Sequence, residues 1–96
     1  MSVLPPEASN NLYLTSIGEY STQTLDDGSV LSLNSNSHVE VNYTTSKRVI
    51  NLLTGEAQFH VTPDSNRPFE VYAGNRMVKA VGTAFAVYRL KVILYL

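Results

Sequence analysis

The stretch "LDDGSVLSLNSNSHVEVNY" (residues 25–43) decides the fold. It opens on an acidic turn and then alternates. Val39, Val41 and Tyr43 fall on one side of an extended chain, with His38, Glu40 and Asn42 on the other, the period-2 pattern of a half-buried strand. Asp26-Asp27-Gly28-Ser29 is a bend between this region and "YSTQTL" (20–25). Gly accepts a positive φ there and Asp tolerates one. A calcium loop is the competing reading of the two acids. It needs more oxygen ligands than a tight turn supplies, and the D-x-D-x-D-G spacing is missing.

The same rhythm continues in both directions. A first strand is expected over Leu12–Ile17, after a linker or lead at residues 1–11 that carries Pro5-Pro6 and Asn10-Asn11. "VLSLN" places Leu31 and Leu33 together, and "SNS" (35–37) turns. "RVINLL" (48–53) is a strand, and Thr54-Gly55-Glu56 bends the chain. "AQFHV" (57–61) points Ala57, Phe59 and Val61 inward. "TPDSNRP" (62–68) is a loop whose prolines cannot donate to a central ladder. "FEVYA" (69–73) points Phe69, Val71 and Ala73 inward. "RMVKAV" follows, Gly82-Thr83 reads as a bulge or close backbone approach, and "AFAVYRLKVILYL" resumes an extended pattern. Turns every ~8–12 residues predict an all-β, mostly antiparallel sandwich or roll of about seven to nine short strands, with residues 12–96 as one domain.

Composition narrows the function. The chain has 96 residues, a net charge of −1 and no cysteine. Nothing argues for nucleic acid or an acidic membrane surface. A disulfide framework and a thiolate zinc site are excluded. No apolar run approaches the roughly 18 residues of a membrane-spanning helix, and the start lacks a signal-peptide layout.

Reactive constellations are weak. His38 and His60 fall on polar strand faces and would have to converge with Glu40 to hold a metal. No G-x-S-x-G elbow or Gly-rich phosphate loop occurs. Arg67-Pro68-Phe69 reads as a strand entry: Pro sets the bend, Phe anchors the core, and Arg is solvated, paired with a carboxylate, or turned to a partner. Glu56 is expected on turn amides or facing Arg48 or Arg67. No catalytic residue, metal or cofactor is assigned.

Four segments together resemble the FecR family. Asp27-Gly28-Ser29 with Leu33, Asn34 and Ser37 is similar to its D-G-S-x-[apolar]-x-L-N-x-x-S motif. Arg48 with Gly55, Glu56, Ala57 and Phe59 resembles its R-x-[apolar]-x-L-x-x-G-E-A-x-F-x-V segment. Arg67, Pro68 and Phe69 match D-x-x-R-P-F-x-V, and Gly82, Thr83 and Phe85 match V-x-A-x-G-T-x-F-x-V. Asp26 stands where the family usually has Pro. The resemblance implies the periplasmic sensor domain of a single-pass inner-membrane regulator. Such a protein relays a signal from a TonB-dependent outer-membrane receptor to an extracytoplasmic-function sigma factor held by a cytoplasmic segment, without catalysis. Family members continue beyond the fourth motif, so the C-terminal end is expected to be a truncation. That would leave Leu90–Leu96 as an apolar edge and favour a homodimer or strand swap. The competing reading is a secreted or envelope β module for a polysaccharide or peptidoglycan, with Tyr20, Tyr43, Tyr72 and Tyr88 as candidate stacking residues.

Overall fold

The computed structural model describes residues 9–80, 84–87 and 92–95. They form ten strands: β1 (Ser9–Leu14), β2 (Ser21–Thr24), β3 (Val30–Leu33), β4 (His38–Tyr43), β5 (Arg48–Thr54), β6 (Ala57–His60), β7 (Phe69–Ala73), β8 (Arg76–Ala80), β9 (Ala84–Val87) and β10 (Val92–Tyr95). Two five-stranded sheets result, ordered β1-β4-β5-β7-β8 and β10-β9-β6-β3-β2. We term them the first and second sheet. Each hairpin stays within one sheet, and the chain changes sheet between hairpins. β6 is a single strand on the second sheet, so β7 returns to the first sheet parallel to β5. All other pairings are antiparallel.

The alternation read from the sequence sets the two faces. Val39, Val41 and Tyr43 are buried, while His38, Glu40 and Asn42 are partly exposed. Ile50, Leu52, Phe69 and Val71 from the first sheet meet Leu31, Leu33, Phe59, Phe85 and Val87 from the second in one core. Three phenylalanines bridge the sheets. The Phe59 and Phe85 rings stack at 5.3 Å, and Phe69 meets them edge-on at 5.6 and 6.4 Å. Each such buried ring contributes about 1.5–3 kcal/mol of transfer free energy.

Three details depart from expectation. The first strand starts at Ser9, inside the segment read as a linker, and stops at Leu14 rather than Ile17. Asn10 and Asn11 pair with Asn42 and Val41, because an amide side chain at an exposed position does not stop a backbone from laddering. The last extended run is two strands, β9 and β10, paired as a hairpin, which raises the count to ten. Glu70 is buried although it points away from the core. Its strand lies between β5 and β8, and its carboxylate accepts the Tyr72 hydroxyl at 2.9 Å. The expected bulge at Gly82-Thr83, and the side chains of Leu90–Leu96, lie outside the described residues.

Candidate functional site

Motif residues gather in two buried polar clusters, one at each end of the sandwich. The first is built around Arg48. The inward phase of β5 runs Arg48, Ile50, Leu52, so an arginine occupies a core position and has no exposed surface. Burying a guanidinium is tolerable only when it is paired and hydrogen-bonded. The turn before β3 supplies the anion: Arg48 Nη1 donates to Asp27 Oδ2 at 2.7 Å. Nη1 also donates to the Thr62 carbonyl at 2.6 Å, and Nε to the Arg67 carbonyl at 2.8 Å. Its guanidinium carbon lies 5.2 Å from the centre of the Phe69 ring.

Asp27 is saturated. Besides Arg48, it accepts the Ser29 amide at 3.0 Å, the Ser29 hydroxyl at 2.8 Å and the Tyr43 hydroxyl at 2.9 Å. Four bonds fill the acceptor capacity of a carboxylate, which leaves no lone pair for a calcium ion. Burial alone would raise this carboxyl. The bonds from Arg48, Ser29 and Tyr43 outweigh it and hold Asp27 below the ordinary carboxylate range. Tyr43 is pushed upward by burial and then by the Asp27 charge, so it remains a donor. Ser29 Oγ in turn accepts the Thr62 amide at 2.9 Å, and Gly28 leaves room for the Thr62 hydroxyl.

Arg67 extends this cluster. It is 8% exposed, its Nε donates to Asp64 Oδ2 at 2.9 Å, and its guanidinium lies 5.6 Å from the Tyr43 ring. Of the roles expected for it, pairing with a carboxylate is the one the geometry holds. Pro68 fixes the strand entry, and its carbonyl accepts the Arg48 amide at 2.9 Å.

The second cluster is built around Ser37. Its hydroxyl donates to the Glu56 carbonyl at 3.1 Å and accepts the Glu56 amide at 3.0 Å. Thr15 Oγ1 donates to the Asn34 carbonyl at 2.6 Å and accepts the Ser37 amide at 2.9 Å. Gly55 has φ 85°, and a Cβ there would lie 2.6 Å from Ser37 Cα. A side chain is therefore barred both by conformation and by space. Glu56 works through its backbone on turn groups. It does not face Arg48, because Arg48 opens β5 and Glu56 follows its end.

Both clusters join the sheets. The first draws Asp27, Ser29 and Thr62 from the second sheet's connections, Tyr43 and Arg48 from the first sheet, and Arg67 from the loop that leads into β7. The second cluster draws Asn34 and Glu56 from the connections beside β3 and β6 of the second sheet, and Thr15 and Ser37 from those beside β1 and β4 of the first. Leu33, Ala57, Phe59, Phe69 and Phe85 are core residues between them. Thr15 and Thr62 were not singled out by sequence reasoning, and Tyr43 entered it as an inward strand residue and a candidate stacking ring, not as a partner of Asp27. The available signal was Arg48 itself, since a cation in the inward phase of a strand demands a buried acceptor set.

His38, His60 and Glu40 do not converge on a common point. His38 lies on the outer face of the first sheet and His60 on the outer face of the second, with the core between them. Among the described residues no group of three or more metal-ligating side chains converges, and no helix is long and apolar enough to cross a membrane.

Fold and clusters define an all-β domain whose distinctive polar residues are committed to holding two sheets together. The chain belongs to the FecR protein family, whose model matches residues 11–92. The family is regulatory. Two crystal structures of a candidate anti-sigma factor from Parabacteroides distasonis are similar to it. Their TM-scores are 0.79 and 0.78, each at 28% identity. They cover 90% and 88% of this chain but only 44% and 43% of their own, so the chain spans less than half the length of these relatives. No curated protein matches.

Proposed function

We propose that this domain is the periplasmic sensor part of a FecR-type, membrane-anchored regulator. It relays occupancy of a TonB-dependent outer-membrane receptor to an extracytoplasmic-function sigma factor. It performs no reaction: the receptor's signalling domain is the input, and a cytoplasmic segment of the whole regulator contacts the sigma factor. The observation that carries this reading is the family match over residues 11–92, joined to the fold shared with a candidate anti-sigma factor. The spent state of the motif residues agrees with it, since Asp27, Arg48, Ser37 and Glu56 all hold the fold.

The test is a sigma-dependent transcript in cells making the full-length regulator with and without this domain. Loss of the domain should uncouple the transcript from the receptor's ligand, locking it on or off. An unchanged response to ligand would refute the relay. One observation favours the envelope-ligand reading. Tyr20 is 70% exposed and borders a shallow pocket of about 330 Å³ lined by Ser21, Thr22, Ser32, Asn34 and Gln58. Such a ring beside hydroxyls and amides suits a sugar face. Of the other tyrosines considered, Tyr43 is buried, Tyr72 is 38% exposed and Tyr88 lies outside the described residues. Peptidoglycan fragments should shift the Tyr20 resonances in a titration if this reading holds, and leave them in place if it does not.

A further inference from the structure

Among the described residues, β1 is an open edge of the first sheet. Its sequence, "SNNLYL", has no charge and no proline. Leu12 and Leu14 are 56% and 60% exposed, while Tyr13 packs against the core. Sheet edges are ordinarily protected by charge, proline or brevity. At the opposite edge of the same sheet β8 carries Arg76 and Lys79. The β2 edge of the second sheet is four residues long and runs into Asp26 and Asp27. β1 has none of these protections.

The backbone polarity of this edge follows from its ladder. The Thr15 amide donates to the Ser37 carbonyl at 2.9 Å, and residues 9–14 continue the same antiparallel register against β4. Hydrogen-bonded pairs alternate along such a ladder. Ser9, Asn11 and Tyr13 therefore turn their amides and carbonyls to β4. Asn10, Leu12 and Leu14 turn theirs outward, away from the sheet.

We propose that β1 pairs antiparallel with β1 of a second copy, about a two-fold axis at Leu12. This register sets Leu12 opposite Leu12, and Asn10 opposite Leu14 on either side. It matches every outward group to a partner, for about six backbone hydrogen bonds. Shifting the centre by one residue either way leaves part of that set unmatched. Electrostatics permits it as well. On the outer face Leu12 neighbours Glu40 within its own sheet, so both leucines separate the two carboxylates, and no like charges stand opposite. The interface is isologous and closed. The self-pairing edge expected from the sequence, Leu90–Leu96, is a different one, and its side chains lie outside the described residues.

The chain has no cysteine, so single cysteines report the register directly. Leu12→Cys places two thiols in a hydrogen-bonded pair, with Cα atoms about 5.5 Å apart, within disulfide reach. Leu14→Cys places them four residues out of register, roughly 14 Å apart. Mild oxidation should cross-link the first variant and not the second. Sedimentation of the unaltered chain should show a concentration-dependent dimer. Leu12→Glu, which sets two carboxylates opposite each other, should weaken it at least tenfold while circular dichroism stays unchanged. A monomer up to about 1 mM, a dimer that tolerates Leu12→Glu, or equal cross-linking at 12 and 14 would each overturn the proposal.

Discussion

At the scale of single residues, Asp27 and Arg48 depend on each other. Removing Arg48 leaves a buried carboxylate without its cation, and losing one partner of such a pair costs about 3–5 kcal/mol. Arg48→Met should lower stability by that amount in chemical denaturation. Asp27→Asn should cost far less in the Arg48→Met background than in the native chain, because the two changes remove the same interaction. Additive losses would mean that the 2.7 Å contact is not coupled. The pH dependence follows from the lowered Asp27 carboxyl. A group depressed on folding stabilises above its unfolded value, ordinarily 3.8, and that contribution disappears as pH falls through the lower folded value. Denaturation midpoints should therefore fall more steeply for the native chain than for Asp27→Asn between about pH 5 and 2. Superimposed profiles would remove Asp27 from the acid response. Gly55→Ala meets both a positive φ and the Ser37 backbone. It should cost more than about 2 kcal/mol, read as a loss of melting temperature, and a neutral outcome would contradict the close approach.

Among the elements, alternation made β4, β6 and most of β7 legible. In "HVEVNY" every second side chain is apolar, and every second side chain is buried. The clusters were not legible, because their partners are distant in sequence. Arg48 meets Asp27 across 21 residues, and Tyr43 meets it across 16. Periodicity reports which side of a strand faces the core, and says nothing of which turn lies over its end. The parallel β5–β7 pairing was hidden for a similar reason. Tight turns imply antiparallel neighbours, but β6 crosses to the other sheet and the chain returns in the original direction. Asn10 and Asn11 misled because polar side chains at an edge resemble a linker. The ends of β1 and β4 depend on Thr15, whose hydroxyl serves Asn34 and Ser37. Thr15→Val keeps the shape and removes both bonds. It should cost about 2–3 kcal/mol, since buried polar groups lose their partners. A change under ~0.5 kcal/mol would show that water replaces the hydroxyl.

For the whole molecule, protection should follow position in the sheets. β5 lies between β4 and β7, and β6 lies between β3 and β9. Their amides should exchange last, with β2 and β8 opening first. Exchange as slow in β2 as in β5 would contradict this order. Phe59→Ala removes a ring that lies 5.6 and 5.3 Å from the other two phenylalanines. It should cost about 3–5 kcal/mol, measured by denaturant titration, and bring β5 and β6 protection down together. The two polar clusters have a mechanical consequence. β3, β4 and β5 each run from one to the other, so the sandwich is a short beam fastened at both supports. Bending or shearing one sheet past the other has to break charge-assisted bonds at one support or the Ser37–Glu56 bridge at the other. The compliance that remains is at the unsupported margins, so a pull or push on this body displaces it as one piece.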